Sequence, residues 1–159
     1  NIEGLIKAFL KLQVNHPNLK LVLSGYDHPF WERIKKEFQN RGLIYTGFIS
    51  DEQLVALYKN AQAFVVPSFE EGFGIPLLEA MACGCPVVAS NAASLPEIGK
   101  DAAVYFNPHD THDMVSKITK VVNNQNLRKD LIEKGKKRFK QFSWEKLAKQ
   151  TLEVYSACG

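Results

Sequence analysis

Short apolar runs, rich in β-branched residues, alternate along the chain with longer segments in which apolar residues recur at helical spacing. The run at positions 63–66 is apolar at every residue, which is typical of a strand that a parallel sheet covers on both faces. Runs of this kind predict five strands, at positions 19–24, 43–45, 63–66, 86–89 and 102–106. Strands that alternate with helices through short connections favour a doubly wound parallel sheet with right-handed crossovers.

Capping residues and apolar stripes place the helices. Ser50 and Gln53 have the spacing of a capping box, in which each side chain binds the backbone amide of the other residue. A short helix at 76–81 is predicted to begin with Pro76 as its first residue, where a missing amide proton costs little. The other helices are predicted to start near Ile2, at Pro29, and after the capping residues Asp110, Asn124 and Ser143. The predicted fold class is α/β, a Rossmann-like doubly wound parallel sheet with C-terminal helices.

The composition is that of one ordinary globular domain. The 159 residues are 45% hydrophobic and 23% charged, and no apolar run approaches the roughly 20 residues that span a bilayer. The net charge of +3 is too small to indicate nucleic acid as a partner. The opening segment also lacks the basic and small-residue features of a signal peptide.

The cysteines offer neither a metal site nor a disulfide framework. Cys83, Cys85 and Cys158 do not form the paired sets that zinc requires. Small side chains that pack a helix end are the simpler interpretation of Cys83 and Cys85. A reducing, cytoplasmic compartment follows, and no metal is expected.

The loop after the third predicted strand is the first candidate site. Residues 67–76 read Pro-Ser-Phe-Glu-Glu-Gly-Phe-Gly-Ile-Pro and join a buried strand to a helix N-terminus, where open α/β sheets bind phosphates. Gly72 and Gly74 allow a ligand to approach the backbone closely. Leu77 stands where the dinucleotide fingerprint needs a third glycine, and no P-loop lysine is present. On turn chemistry alone, a tight turn without a ligand is the favoured interpretation of Gly72-Phe73-Gly74.

Two carboxylates strengthen the ligand interpretation. Glu71 lies in the loop, and Glu79 is predicted in the first turn of the next helix, directed back toward Glu71. A carboxylate accepts two hydrogen bonds at once, so it suits a vicinal diol of a ribose or a hexose. Stabilisation of the helix dipole is the alternative role for Glu79.

The run from Pro67 to Ser90, PSFEEGFGIPLLEAMACGCPVVAS, strongly resembles the donor-site signature of the family 4 retaining glycosyltransferases. Pro96-Glu97-Ile98 extends the similarity. Nearly the whole chain resembles the C-terminal domain of that family, which is the C-terminal half of a GT-B architecture. The resemblance implies a donor half that moves a hexose from a nucleoside diphosphate sugar to a sugar or lipid-linked acceptor in polysaccharide biosynthesis, with retention of anomeric configuration.

The resemblance also implies residue roles. Glu71 would hold hydroxyls of the transferred sugar, as the catalytic residue that positions and stabilises it, and Glu79 would hold the ribose diol. The donor-binding set would be Glu71, Gly72, Phe73, Gly74, Ile75, Leu77 and Glu79. Backbone at Gly47, Phe48 and Ile49 would face the nucleobase, although an ordinary strand-to-helix turn is the alternative there.

The family places an Arg and a Lys on the donor phosphates just before the segment with which this chain opens. We therefore expect residues 1–159 to be a nucleotide-sugar-binding domain without its N-terminal acceptor domain, and inactive alone. The loop carries no Asp-x-Asp metal motif, so the expected mechanism uses no metal and no cofactor. A non-catalytic nucleotide or nucleotide-sugar binding module is the alternative, because fold does not dictate function.

A basic run lies near the C-terminus, at Lys134, Lys136, Lys137, Arg138 and Lys140. A solvated helix face is its simplest interpretation. The sharper one is contact of Lys134–Lys140 with an anionic membrane, where each cation adds about 1 kcal/mol. The expected localisation is cytoplasmic, with this run as the candidate for peripheral contact at the inner membrane surface.

Overall fold

The computed structural model describes residues 1–26 and 28–158, and its elements follow the predicted alternation. The strands are β1 (Leu21–Ser24), β2 (Leu43–Gly47), β3 (Phe64–Val66), β4 (Val87–Ser90) and β5 (Ala103–Phe106). The helices are α1 (Ile2–Gln13), α2 (Pro29–Glu37), α3 (Asp51–Asn60), α4 (Ile75–Ala82), α5 (Leu95–Gly99), α6 (Thr111–Val122), α7 (Gln125–Phe139) and α8 (Trp144–Cys158). A 3₁₀ turn, Lys100–Ala102, joins α5 to β5.

Local capping chemistry sets the starts of these helices. Ser50 and Gln53 form both bonds of the predicted capping box at α3. The Asp110 carboxylate accepts from two backbone amides at the start of α6, and the Asn124 side chain accepts from one at α7. The Ser143 hydroxyl accepts the Lys146 amide at 3.1 Å as α8 begins. Each cap satisfies a first-turn donor that has no partner within its helix, so these predicted starts are confirmed.

The strands are all parallel, as predicted, but they divide between two sheets. β1 pairs with β2, and β3, β4 and β5 form a second sheet in that order. Among the described strands, β1 and β3 form no ladder with each other, and a sheet is continuous only where neighbouring backbones pair. The α/β, Rossmann-like fold class is therefore confirmed, with the parallel pairing interrupted between β2–β1 and β3–β4–β5.

β4 is the central strand of the larger sheet, and all four of its residues are buried. The continuous apolar run that predicted this strand reflects helices on both faces. Leu77 and Met81 of α4 pack in one core cluster with Val87 and Ala89. Val88 points to the other cluster, which α1 and α6 share. Leu77 and Leu95 of the α4-side cluster lie next to Gly74, where the loop between β3 and α4 ends.

The C-terminal helices differ in how they are covered. α6 packs on α1, and α7 packs on α4, where Gly135 approaches Met81 closely. α8 leaves large apolar side chains in solvent, with Trp144 75% and Tyr155 70% exposed. Within the described part of the chain, no helix combines the length and the apolar character needed to cross a bilayer.

Candidate functional site

The loop between β3 and α4 ends in a helix N-terminus that no side chain closes. Gly74 occupies the N-cap in a left-handed conformation, with φ 94° and ψ 43°. Side chains cap α2, α3, α6 and α7, but glycine has none to offer α4. The sequence predicts Pro76 as the first residue of this helix. In the structure α4 begins at Ile75, so Pro76 is its second residue. Pro76 has no N–H and the Leu77 amide donates to the Gly74 carbonyl, so within the first turn of α4 the Ile75 amide is the donor left for an external acceptor.

Three serine hydroxyls hold the loop. The Ser90 hydroxyl, fully buried at the end of β4, donates to the Ser68 carbonyl at 2.7 Å. The Ser94 hydroxyl donates to the Glu71 carbonyl at 2.9 Å, and the Ser68 hydroxyl donates to Glu71 Oε2 at 3.2 Å. The Glu71 backbone and carboxylate are therefore both anchored, while the second carboxylate oxygen is left for a ligand.

The serines were missed in the sequence analysis. Ser68 stands three residues before Glu71, near enough in sequence for the hydroxyl to reach the carboxylate within one turn of the loop, and this spacing could have identified it. The contacts of Ser90 and Ser94 join positions more than twenty residues apart and carry no local signal.

An open cleft of about 650 Å³ borders the loop, lined by Phe69, Glu70, Glu71, Gly72 and Ala93. Of the predicted site residues, Glu71 and Gly72 therefore face one space. The Phe69 ring is fixed by stacking on His109, with 4.9 Å between ring centroids. The cleft combines carboxylates with an aromatic face, which is a surface suited to a polyol.

The other loop residues lie beside this cleft. Phe73 packs edge-on against Phe142, and both Phe73 and Ile75 remain about half exposed. Leu77 differs, because its side chain is fully buried and its amide donates to the Gly74 carbonyl at 3.0 Å. The Leu77 side chain therefore supports the loop from the core, and its place near a bound donor stays a prediction.

Glu79 lies in the second turn of α4, not in the first turn as predicted, because the helix starts at Ile75. Its side chain is exposed, and its Oε2 accepts a long hydrogen bond of 3.5 Å from the Tyr58 hydroxyl of α3. Glu71 and Glu79 therefore have different partners, since Ser68 holds the first and Tyr58 the second.

The turn after β2 contains the predicted nucleobase residues. Gly47 ends the strand with φ 69°, and its carbonyl accepts the Gly25 amide at 3.1 Å, which ties it to the turn after β1. Phe48 is 66% exposed and stacks on Tyr26, with ring centroids 5.0 Å apart. The turn thus lies at the carboxyl edge of β1–β2, and its contact with a base stays a prediction.

The basic run is partly committed to internal contacts. Arg138 donates to the carbonyls of Glu97 and Ile98, which end α5, and lies over the Phe142 ring. Lys134 pairs with Asp130 and Asp101. Lys136, Lys137 and Lys140 remain exposed, so any membrane contact falls to these three.

Nothing in the described residues resembles a metal centre, since no three His, Cys, Asp or Glu side chains gather at metal-binding distance. Cys85 is buried in the core, and burial raises the pKa of its thiol to about 12. This agrees with the packing role predicted for the cysteine. The third predicted cysteine, Cys158, has its side chain outside the described part.

Ala93 is the one cleft-lining residue with a left-handed backbone, at φ 50°. This conformation costs a non-glycine residue about 1–2 kcal/mol. We expect Ala93→Gly to raise the free energy of unfolding by up to about 1 kcal/mol, since greater freedom of the unfolded chain offsets part of the relief. Urea titration measures it. The neighbouring Ala92→Gly is the control and should lower stability, and equal losses in both variants would contradict the strain at Ala93.

The fold and the uncapped α4 N-terminus define a class of protein: a parallel α/β domain in which a loop with an open helix N-terminus lies beside an acidic cleft. The sequence model of the glycosyl transferases group 1 family matches residues 1–138. The chain belongs to that family, as its resemblance implied.

Relatives agree with this assignment. The O-antigen chain mannosyltransferase B of Escherichia coli is 38% identical over 163 residues, which cover 98% of this chain and 42% of that protein. Sucrose-phosphate synthase from Thermosynechococcus elongatus has a similar structure, with a TM-score of 0.83 and 28% identity over 99% of this chain and 42% of that chain. The C-terminal domain of a glycosyl transferase group 1 family protein (LpcC) from Francisella tularensis shares the fold, with a TM-score of 0.77 and 24% identity over 88% of this chain and 77% of that chain. The chain thus spans about two fifths of the two longer proteins.

Proposed function

We propose that this chain is the nucleotide-sugar-binding half of a retaining glycosyltransferase. The intact enzyme would move a hexose from a nucleoside diphosphate sugar to a sugar or lipid-linked acceptor. Family membership supports glycosyl transfer, and the share of each longer relative that the chain spans supports a second, acceptor-binding domain. The observation that carries the donor assignment is the uncapped N-terminus of α4 beside the anchored carboxylate of Glu71.

The amides of Phe73, Gly74 and Ile75 would bind the sugar and the diphosphate. A helix N-terminus presents unpaired N–H groups and about half a positive charge, and both favour a phosphate. As the bond from the anomeric carbon to the diphosphate oxygen breaks, negative charge grows on the leaving group. Fixed amide dipoles stabilise that charge without reorganising, so the proposal requires no metal.

Glu71 would position the hexose in the cleft. Ser68 holds one of its carboxylate oxygens, which leaves the other to accept hydrogen bonds from sugar hydroxyls. The negative charge also favours the positive charge that develops on the sugar as the acceptor hydroxyl oxygen replaces the diphosphate, whose departing oxygen takes up the hydroxyl proton. Glu71 is thus assigned a positioning and electrostatic role at the reacting sugar.

The Glu79 carboxylate would accept hydrogen bonds from both hydroxyls of the ribose. The turn Gly47–Ile49 would face the base. The name of the Escherichia coli relative makes a mannose nucleotide the first donor to test.

The acceptor would bind mainly to the second domain, so the chain alone would not transfer sugar. Lys136, Lys137 and Lys140 would hold a cytoplasmic enzyme at an anionic inner membrane surface, where lipid-linked acceptors reside.

Calorimetric titration tests the donor assignment. The chain is titrated with guanosine diphosphate mannose, with uridine diphosphate glucose and with inorganic phosphate as the reference. We expect saturable binding of at least one nucleotide sugar, tighter than phosphate. A folded chain that binds neither nucleotide sugar would contradict the proposal. If the chain binds a nucleotide sugar but the intact protein transfers no sugar, a non-catalytic binding module is favoured instead.

Gly72 and Gly74 should respond differently to alanine. A Cβ on Gly74 would combine a left-handed φ with a 2.8 Å contact to Leu95 Cδ2, so Gly74→Ala should cost about 1–3 kcal/mol of stability. A Cβ on Gly72 meets nothing within 4 Å and would project from a residue that lines the cleft. Gly72→Ala should keep stability but weaken nucleotide-sugar binding by about tenfold, or 1.4 kcal/mol.

Thermal unfolding and calorimetry of the two variants give this comparison, with each glycine variant as the control for the other. Unchanged donor affinity in Gly72→Ala would show that the ligand does not occupy the space beside that residue.

A further inference from the structure

We propose that Tyr58 is a positioning residue of the donor site, whose hydroxyl holds Glu79 in the orientation that receives the ribose diol. This inference rests on the proposed function and deepens it. Neither the motif nor the family resemblance assigns a role to the Tyr58 side chain.

The Tyr58 hydroxyl donates to Glu79 Oε2 at 3.5 Å and so links α3 to α4. The ring itself is held firmly, because Tyr58 is only 6% exposed and packs edge-on against Phe64 of β3, with ring centroids 5.1 Å apart. A rigid donor that contacts an exposed carboxylate restricts the carboxylate, and not the reverse. The packed Tyr58 ring therefore sets the orientation of the Glu79 carboxylate.

The contact uses only part of the capacity of Glu79. A carboxylate has about four acceptor positions, and Tyr58 occupies one of them on Oε2. Within the described part of the chain, Glu79 takes part in no ion pair. Oε1 is therefore available to a vicinal diol while Oε2 remains anchored.

The electrostatics keep the phenol in its donor form. Burial, and then the negative charge of Glu79, raise the pKa of the Tyr58 hydroxyl. The hydroxyl thus stays protonated over the whole pH range in which an enzyme of this kind is assayed. A permanent donor beside an exposed carboxylate fixes its rotamer before the ligand arrives, and this lowers the entropy lost on binding.

Tyr58→Phe tests the inference, since it removes only the hydroxyl oxygen. The chain is titrated with uridine and guanosine diphosphates, and the tighter-binding one is compared with its 2′,3′-dideoxy counterpart. We expect Tyr58→Phe to weaken binding of the ribonucleotide by about 3- to 10-fold and to leave the dideoxy nucleotide unchanged, as loss of one immobilised side chain predicts. The preference for ribose over dideoxyribose would shrink by the same factor.

Tyr105→Phe provides a matched control. Tyr105 is a partly buried tyrosine packed against the same core cluster, and its hydroxyl donates to the Leu95 carbonyl at 3.4 Å instead of to a carboxylate. That variant should keep the wild-type preference, and thermal unfolding of both variants shows whether the fold is retained. A folded Tyr58→Phe with the wild-type preference would overturn the role of Tyr58 while leaving donor binding intact. Failure of the wild-type chain to bind any of these nucleotides would instead overturn the proposed function, and this inference with it.

Discussion

Replacement of Glu71 by glutamine is expected to lower the turnover of the intact enzyme by about 100- to 1000-fold, the usual loss for one transition-state charge contact. Glutamine preserves the size of the side chain and the bond from Ser68, but it removes the negative charge beside the reacting sugar. Affinity for the nucleotide should fall much less, because Glu71 is assigned to the sugar. Steady-state kinetics together with nucleotide titration separate these two effects.

Glu133→Gln is the matched control for this prediction. Glu133 is an exposed carboxylate on α7 and is not among the residues that line the cleft. Its turnover should stay within about twofold of wild type, as for surface positions without a specific contact. Wild-type turnover in Glu71→Gln would remove Glu71 from the mechanism.

Glu79→Ala is expected to weaken donor binding by about 10- to 100-fold, at 1.4 kcal/mol per decade. The physical reason is the loss of charge-assisted hydrogen bonds to the ribose diol, each worth about 1.5–3 kcal/mol. Calorimetry with the nucleotide sugar measures the change. The variant also leaves the Tyr58 hydroxyl without its acceptor, so a modest loss of stability should accompany it.

Glu133→Ala on the exposed side of α7 serves as the control for removal of one helical carboxylate. Its donor affinity should equal that of wild type. Unchanged affinity in Glu79→Ala would sink the ribose assignment, even if the loop at Glu71 still proved to bind the sugar.

Much of the fold could be predicted because interactions between residues close in sequence determine many of its elements. The capping box of Ser50 and Gln53 lies within four residues, so the start of α3 could be predicted without knowledge of its surroundings. β4 could be predicted because burial on both faces leaves a continuous apolar run. The interruption between β1 and β3 could not, since pairing depends on which backbones become neighbours.

The site was predictable only in part for the same reason. Gly-x-Gly before a helix indicates an open N-terminus, and the structure bears this out at Gly74. The contacts that hold the carboxylates are tertiary: Ser94 reaches Glu71 from 23 positions away, and Tyr58 reaches Glu79 from 21. Contacts between residues so far apart along the chain leave no local or periodic pattern from which they could be predicted. The position of Glu79 in the second turn also depended on one residue, because α4 starts at Ile75 and not at Pro76.

The central claim, that the α4 N-terminus binds the diphosphate of a nucleotide sugar, is tested most directly by nuclear magnetic resonance of backbone amides during titration. We expect the amides of Gly72, Phe73, Gly74 and Ile75 to shift in a saturable way with the nucleotide sugar. The first amides of α6 and α7, which Asp110 and Asn124 already cap, should stay unchanged. Binding that shifts other amides and leaves residues 72–75 unperturbed would contradict the account.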